Sequence, residues 1–218
     1  MKKYYPESKV ELSGFTAWHY DALLNFLSFG QYSSFIEKAI GQMHINPGDK
    51  ILDLGAGTGR NACILVRYLS EEGQVIGFDI SDEMIVQFER RCKKFPNVNV
   101  TNQRIDVELP SVYNDKFDKA FISFVLHGFP QDKRIVIIEN VYRALKDGGR
   151  FFILDYNEFS YEKKPIYFKI PFKIAECPYA FDFIKRDWKH ILTEKGFRNF
   201  SAHIFFGGYV RLIEVIKV

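Results

Sequence analysis

The 218-residue chain is 47% hydrophobic and 26% charged, with 30 Lys+Arg set against 27 Asp+Glu. Intrinsic disorder is excluded, because the apolar content is high and the net charge of +3 is small. No apolar run reaches the roughly 18 residues of a membrane-spanning helix, and no apolar segment follows the charged N-terminus, so we expect neither a transmembrane helix nor a signal peptide. The near-even charge provides no bulk attraction for nucleic acid.

The cysteine and histidine content argues against a disulfide framework and a metal site. Cys63, Cys92 and Cys177 are an odd number without close spacing, which fits a reducing, cytoplasmic location. The histidines show no ligand spacing, so we expect no metal. The aromatic content of 17% suits either a bulky core or an apolar, aromatic ligand.

The chain opens with a helix-rich leader, residues 1–46, which ends in an Asn-Pro-Gly-Asp turn cluster. Strand and helix patterns then alternate, which predicts an α/β fold with a mainly parallel sheet. The predicted strands are residues 50–54, 74–78, 98–103, 117–124 and 150–155, and the predicted helices are residues 59–70, 81–93 and 131–146.

The pattern changes after the fifth predicted strand. Residues 156–180 contain three prolines and many aromatics, and they predict an irregular, lid-like insertion. A helix at residues 181–195 should follow, and then two antiparallel strands around the hairpin signal Gly207-Gly208. No linker divides the chain, so we expect one domain over residues 1–218.

The sharpest local signal is a strand that runs into a loop with a glycine at every second position, from Asp53 to Gly59. Glycines allow a tight turn and close approach of the backbone to a ligand. A Walker loop is excluded, because no Gly-Lys-Ser/Thr triplet follows. A dinucleotide fingerprint is also incomplete, because Arg60 stands where its third glycine belongs.

A second signal follows at the end of the next predicted strand, where Asp79 can accept hydrogen bonds from both hydroxyls of a ribose. Ile80 and Met84 are suited to pack against an adenine face. The alternatives are that Asp79 only caps the following helix and that Met84 belongs to the core.

These features together resemble class I S-adenosylmethionine-dependent methyltransferases, whose first motif is Asp-x-Gly-x-Gly-x-Gly, over about residues 45–155. The resemblance implies a Rossmann-like, seven-stranded, mainly parallel sheet with an antiparallel C-terminal hairpin strand. It also implies S-adenosylmethionine as cofactor, S-adenosylhomocysteine as product, and an acid at Asp106 that accepts from the adenine amine; a solvated loop acid is the alternative. The expected cofactor-binding residues are Asp53, Gly55, Ala56, Gly57, Gly59, Asp79, Ile80, Met84, Asp106 and Val107.

The segment after the fourth predicted strand bears on the acceptor. Methyltransferases that act on amino groups of adenine, cytosine or glutamine share an Asn/Asp-Pro-Pro-aromatic segment there, and this chain has residues 121–130, FISFVLHGFP, instead. This departure and the even charge disfavour nucleic acid as partner. His127 lies where a general base would act, or it only shapes the pocket.

The leader carries a second resemblance, at residues 18–30, to the menaquinone/ubiquinone-biosynthesis C-methyltransferases. Tyr20, Asp21, Asn25, Ser28 and Gly30 match that group's pattern, which implies that Tyr20 and Asn25 lie on the acceptor side. A plain amphipathic helix is the alternative. The chain departs from the group after residue 155, so a quinol precursor is one candidate among small acceptors.

Residues 167–174 mix aromatics with lysines, which suits a peripheral membrane contact or a lid whose side chains wall the pocket. Two nearby prolines argue against a long amphipathic helix there. We therefore expect an S-adenosylmethionine-dependent methyltransferase for a small, apolar or aromatic acceptor. A tRNA or rRNA methyltransferase and a non-catalytic cofactor-binding protein remain alternatives.

Overall fold

The computed structural model of the chain describes residue 8 and residues 32–218. Within these residues seven strands form one sheet in the order β3-β2-β1-β4-β5-β7-β6. The strands are β1 (Lys50–Leu54), β2 (Gln74–Asp79), β3 (Val98–Asn102), β4 (Phe117–Ser123), β5 (Leu145–Tyr156), β6 (Phe197–Phe205) and β7 (Val210–Lys217). Strands β1 to β5 are parallel, and β7 runs antiparallel between β5 and β6. The expected Rossmann-like fold with an antiparallel C-terminal hairpin is confirmed.

Helices cover both faces of this sheet. They are α1 (Tyr32–Gly41), α2 (Arg60–Leu65), α3 (Asp82–Cys92), α4 (Gln131–Ala144), α5 (Ile166–Ala175), α6 (Pro178–Phe183) and α7 (Trp188–Glu194). Helix α3 begins as the sequence predicts: the Ser81 hydroxyl accepts from the Met84 amide at 3.3 Å, and two acids occupy the first turn.

Alternate residues of the central strands supply the two cores. In β5, Phe151 and Ile153 join the cluster under α4 and α7, whereas Phe152 and Leu154 join the cluster under α1 and α2. Fully buried phenylalanines occur in both clusters, so much of the high aromatic content serves the core. No helix in the described part of the chain is long and apolar enough to cross a membrane.

Several predicted elements differ from the structure. The fifth strand begins at Leu145 instead of residue 150, and the helix before it ends at Ala144 instead of residue 146. The helix expected at residues 59–70 ends at Leu65 and continues as a short 3₁₀ turn. The helix expected at residues 181–195 is instead two short helices, α6 and α7, and the second is capped by Asp187, which accepts from the His190 amide at 2.9 Å.

The insertion at residues 156–180 is not irregular, because it contains helix α5 and the start of α6. Pro171 lies inside α5 and is exposed. Proline lacks the backbone N–H that a helix needs, but the next residue, Phe172, is buried against Tyr156 and Phe159, with ring centroids 5.1 and 6.0 Å away. This aromatic packing overrides the local preference against a helix.

Candidate cofactor and acceptor site

The glycine loop lies between β1 and α2, at the carboxyl end of the parallel strands, where ligands bind in open α/β sheets. The amides of Gly55 and Ala56 both donate to the carbonyl of Phe78 in β2, at 2.8 and 3.0 Å. The amide of Gly59 closes the turn on the Ala56 carbonyl at 3.1 Å. The loop is therefore anchored to the neighbouring strand.

All three loop glycines have positive φ angles, 69° at Gly55, 53° at Gly57 and 76° at Gly59. A Cβ on Gly55 would lie 2.6 Å from Val125, and one on Gly59 would lie 2.8 Å from Phe88. These two glycines are thus required by packing as well as by backbone conformation. Gly57 has open space, since a Cβ there would find no atom closer than 4.0 Å.

Asp79, at the end of β2, organises the loop. One carboxylate oxygen accepts from the Gly57 amide at 2.8 Å, and the other accepts from the Ile80 and Ser81 amides at 2.8 and 2.9 Å. Since Ser81 caps α3, the interpretation of Asp79 as its N-cap is wrong. A carboxylate can accept about four hydrogen bonds, so capacity remains for a hydroxyl. Burial raises the pKa of Asp79, although the three backbone hydrogen bonds oppose this.

Asp53 is buried within β1, and neither of its carboxylate oxygens has a hydrogen-bond partner in the described part of the chain. Burial, and then the charge of Asp79, raise the pKa of Asp53 to about 7. A buried carboxylate without partners is costly. A cationic ligand in the loop would relieve this cost.

Asp106 lies beyond the end of β3 and is buried, so the alternative of a solvated loop acid is wrong. Both of its oxygens accept from Arg104, from Nε at 3.1 Å and from Nη2 at 2.6 Å. A ligand amine at Asp106 would share the carboxylate with this guanidinium. Ile80 and Val107 are half-buried, and Met84 is buried.

His127 follows β4 and is held between two carboxylates. Its Nδ1 lies 2.8 Å from Asp155 Oδ1, and its Nε2 lies 3.3 Å from Glu176 Oε2. Burial alone would lower the pKa of His127, but the charge and hydrogen bond of Asp155, together with Glu176, outweigh it and raise the pKa to about 10. The imidazole is therefore protonated at neutral pH, a state that cannot accept a proton.

Residues that the sequence analysis did not single out complete this cluster. Tyr156 packs on the His127 ring, with centroids 5.1 Å apart, and its hydroxyl donates to Glu176 at 2.5 Å. Asp155 at a strand end carried a usable signal, because ligand groups collect at the carboxyl edge of such sheets. Glu176 lies inside the insertion, and nothing in the sequence around it indicated a role in the site.

A fully buried guanidinium fixes the backbone around His127. Arg134 donates to the carbonyls of Leu126, His127 and Tyr179 at 3.2, 3.1 and 2.6 Å, and it pairs with Asp182 at 2.7 Å. It therefore ties the loop after β4 to α6.

The glycine loop and the His127 cluster are neighbours, because Val125 packs against Gly55 and β1 pairs with β4. Tyr20 and Asn25, with the other matching leader residues, lie outside the described residues, so their place on the acceptor side stays a prediction. The positive-φ glycines, the Asp53 carboxylate with no partner among residues 32–218, and the remaining acceptor capacity of Asp79 fit a cationic nucleoside cofactor.

Comparisons with known proteins agree with this geometry. A family model described as "Methyltransferase domain" matches residues 45–196. The fold is similar to that of a SAM-dependent methyltransferase from Aquifex aeolicus, with a TM-score of 0.64, 21% identity, and coverage of 84% of this chain and 89% of that one.

Two sequence relatives have names that mention quinones. One is a demethylmenaquinone methyltransferase of Symbiobacterium thermophilum, 30% identical over 155 residues, which are 69% of this chain and 61% of the relative. The other is a 2-phytyl-1,4-naphtoquinone methyltransferase of Synechococcus elongatus, 34% identical over 138 residues, 62% of this chain and 58% of the relative. The match thus spans about three fifths of each relative's length. This chain belongs to the class I S-adenosylmethionine-dependent methyltransferase family and resembles its menaquinone/ubiquinone-biosynthesis group.

Proposed function

We propose that this chain transfers a methyl group from S-adenosylmethionine to a small aromatic acceptor of the quinol class, such as a reduced, prenylated 1,4-naphthoquinone. The observation that carries the proposal is the aromatic cluster beside the glycine loop, in which Tyr156 packs on an imidazolium held by two carboxylates. The names of the relatives point to the same acceptor class.

The residues proposed to hold the cofactor contact different chemical groups of it. When bound, S-adenosylmethionine supplies a methyl group on a positively charged sulfur. Asp53 would pair with the cationic methionine end, and Asp79 would accept from the ribose hydroxyls. Further cofactor contacts are assigned to Gly55, Ala56, Gly57, Gly59, Ile80, Met84, Asp106 and Val107.

On the acceptor side the chain's task is to orient a flat ring and to exclude water, which is catalysis by proximity. Aromatic side chains of the insertion pack against residues that follow it in the chain: the Phe168 ring stacks on Tyr209 at 4.2 Å, and Phe172 lies 5.1 Å from Phe181. We propose that residues 156–180 act as a lid and residues 1–46 as a cap within one methyltransferase domain.

We assign His127 a positioning role. Because its pKa is about 10, it remains an imidazolium at neutral pH and holds Glu176 against Tyr156. A quinol hydroxyl is acidic enough to lose its proton without a histidine base. Tyr20 and Asn25 remain proposed acceptor contacts.

Helix α5 suits an acceptor that resides in a membrane. Ile166, Ile170 and Ile174 recur every fourth residue, which places them on one stripe, and they are 69%, 54% and 72% exposed. Lysines at 163, 164, 169 and 173 lie in or near this helix. An apolar stripe with neighbouring lysines fits an anionic lipid surface.

The function is tested with purified protein, methyl-labelled S-adenosylmethionine and a prenylated 1,4-naphthoquinol kept reduced. Label should enter the quinol, and less efficiently an unprenylated naphthoquinol. The oxidised quinone is the matched control and should remain unlabelled, because it lacks the electron-rich ring. Label that enters tRNA or rRNA but no quinol would overturn the proposal, as would tight cofactor binding with no transfer to any acceptor.

A further inference from the structure

Two cysteines that are distant in sequence meet beneath the glycine loop. Cys63 lies in α2 and Cys92 is the last residue of α3; their sulfurs are 3.0 Å apart and are not joined by a disulfide. The sequence analysis found no close pairing among the cysteines, because the contact arises only when α2 packs beside α3.

Both cysteines form hydrogen bonds with the same residue of the glycine loop, Gly59. The Cys63 amide donates to the Gly59 carbonyl at 3.0 Å, and the Cys92 thiol donates to the same oxygen at 3.6 Å. Beside them Arg91 donates to the Thr58 hydroxyl at 2.7 Å. A movement of either sulfur would therefore change the hydrogen bonds that hold the glycine loop.

The two thiols differ in environment. Cys63 is half-buried and Cys92 is buried. Cys92 has one S–H, and when Cys63 ionises this S–H turns from the Gly59 carbonyl to the Cys63 sulfur. That hydrogen bond lowers the pKa of Cys63 to about 7; burial opposes this, and the charges of Arg91, Lys94 and Arg67 reinforce it. The same hydrogen bond and burial raise the pKa of Cys92. Since the thiolate is the reactive form, Cys63 is suited to attack first.

We propose that Cys63 and Cys92 are an oxidant-sensitive pair whose disulfide shifts the glycine loop and weakens cofactor binding. The oxidant is a hydroperoxide. The Cys63 thiolate attacks a peroxide oxygen, the O–O bond breaks, and Cys63 becomes a sulfenic acid, while the leaving hydroxide combines with the proton that the Cys63 thiol has released and forms the first water. The Cys92 sulfur then bonds to the Cys63 sulfur and expels hydroxide, which takes the Cys92 proton. Two thiols are oxidised, and hydrogen peroxide is reduced to two waters.

The consequence for the loop follows from the lack of space around Gly59. A disulfide brings the sulfurs about 1 Å closer than they are here, and a Cβ on Gly59 would already lie 2.8 Å from Phe88 and 3.1 Å from the Cys92 sulfur. The oxidised Cys92 also has no hydrogen to donate to the Gly59 carbonyl. We therefore expect a roughly three- to tenfold loss of cofactor affinity, the range for one net hydrogen bond.

The first measurement needs no cofactor. The reduced full chain is treated with hydrogen peroxide, residual thiols are alkylated, and intact and peptide masses are recorded. The wild type should lose the mass of two hydrogens and yield a peptide pair linked through Cys63 and Cys92. The variants Cys63→Ser and Cys92→Ser should not form this linked peptide pair. Cys177→Ser, at a buried cysteine outside the pair, should form it as the wild type does. Absence of this link, or a link through Cys177, overturns the proposal.

The second measurement compares S-adenosylhomocysteine binding to the reduced, oxidised and dithiothreitol-treated chain by calorimetry. Affinity should fall on oxidation and return on reduction, and Cys63→Ser should show no change with peroxide. Equal affinity of the linked and reduced forms overturns the coupling. This readout depends on the proposed cofactor site: a reduced wild type that binds no S-adenosylhomocysteine contradicts that site, while the mass measurement still decides whether the disulfide forms.

Discussion

Asp53 is buried in β1, and its carboxylate has no hydrogen-bond partner among the described residues. Its pKa is raised from 3.8 to about 7, so the ionised form destabilises the folded chain. This penalty is absent below about pH 4 and complete above about pH 7. Asp53→Asn should therefore raise the free energy of unfolding of the ligand-free protein by about 2–4 kcal/mol at pH 8 and leave it unchanged at pH 4. Urea unfolding at both pH values measures this.

Asp53→Asn should also weaken S-adenosylmethionine binding, because residue 53 is the proposed partner of the cationic methionine end and the substitution removes its charge. Asp147→Asn is the control, since the Asp147 side chain is 93% exposed and lies outside the site. A variant that binds as tightly as wild type would remove Asp53 from the cofactor site.

Asp79 is expected to contribute in a different way, through hydrogen bonds to the ribose. Asp79→Ala should weaken cofactor binding by about 2–3 kcal/mol, because the charge-assisted hydrogen bonding to the ribose is lost and the Gly57 amide of the glycine loop loses its acceptor. Asp79→Asn keeps one acceptor oxygen and should lose less. Calorimetry measures the affinities, and circular dichroism checks that both variants fold. Unchanged affinity in a folded Asp79→Ala variant would move the ribose elsewhere.

His127 lowers the stability of the folded chain with rising pH in the same direction as Asp53, but over a higher pH range. Its folded pKa of about 10 exceeds the ordinary 6.5, so its stabilisation is complete below about pH 6.5 and is lost as pH rises through about 10. The stability difference between wild type and His127→Gln should shrink by about 2–4 kcal/mol over this range. His190→Gln, at a 66% exposed histidine, is the control.

The pH dependence of the rate bears on the role of His127. If it positions other groups, wild type should show no rate limb near pH 6–7 that disappears in His127→Gln. Loss of such a limb together with about 10²–10⁴-fold of the rate would identify His127 as the general base.

At the scale of elements, helix α5 has one buried side and one exposed side, and the proposed membrane contact concerns the exposed side. Phe172 fixes its inner side, whereas Ile166, Ile170 and Ile174 remain exposed. Ile170→Ser should reduce sedimentation with anionic phosphatidylglycerol vesicles about fivefold, since one isoleucine contributes about 1 kcal/mol when it enters the bilayer surface.

Transfer to an unprenylated quinol should be unaffected by Ile170→Ser. Val112→Ser, at a 65% exposed valine outside α5, is the matched control. Equal vesicle binding by wild type and Ile170→Ser would leave the lid as the role of this segment.

For the whole molecule, the site joins groups from β1, β2 and the loop after β4, so a ligand that bridges them should stabilise the fold. S-adenosylhomocysteine at about 100 times its dissociation constant should add about 2.7 kcal/mol, or about 5–10 °C in Tm. NAD should give no shift, because Arg60 replaces the glycine of a dinucleotide fingerprint. Thermal melts monitored by fluorescence test this, and a shift with NAD alone would contradict the assignment.

The glycine loop and the acid at the end of β2 could be predicted because their signals are local. A buried apolar strand, alternating glycines and an acid at the next strand end each fall within a few residues, and the carboxyl ends of parallel strands meet at one edge. The same locality explains why strands β1 to β4 and helix α3 were predicted close to their observed bounds, whereas β5 begins at Leu145, five residues before its predicted start.

What the sequence determined by itself was therefore the fold class, the order of the strands along the chain and the glycine loop. Only the tertiary structure decided the partners of His127 and the meeting of Cys63 with Cys92. The tertiary structure also decided that the insertion contains helix α5, because burial of aromatic side chains outweighed the preference of Pro171 against a helix. Such contacts join distant segments through packing, and the local periodicity of the sequence does not encode which side chains packing will bring together.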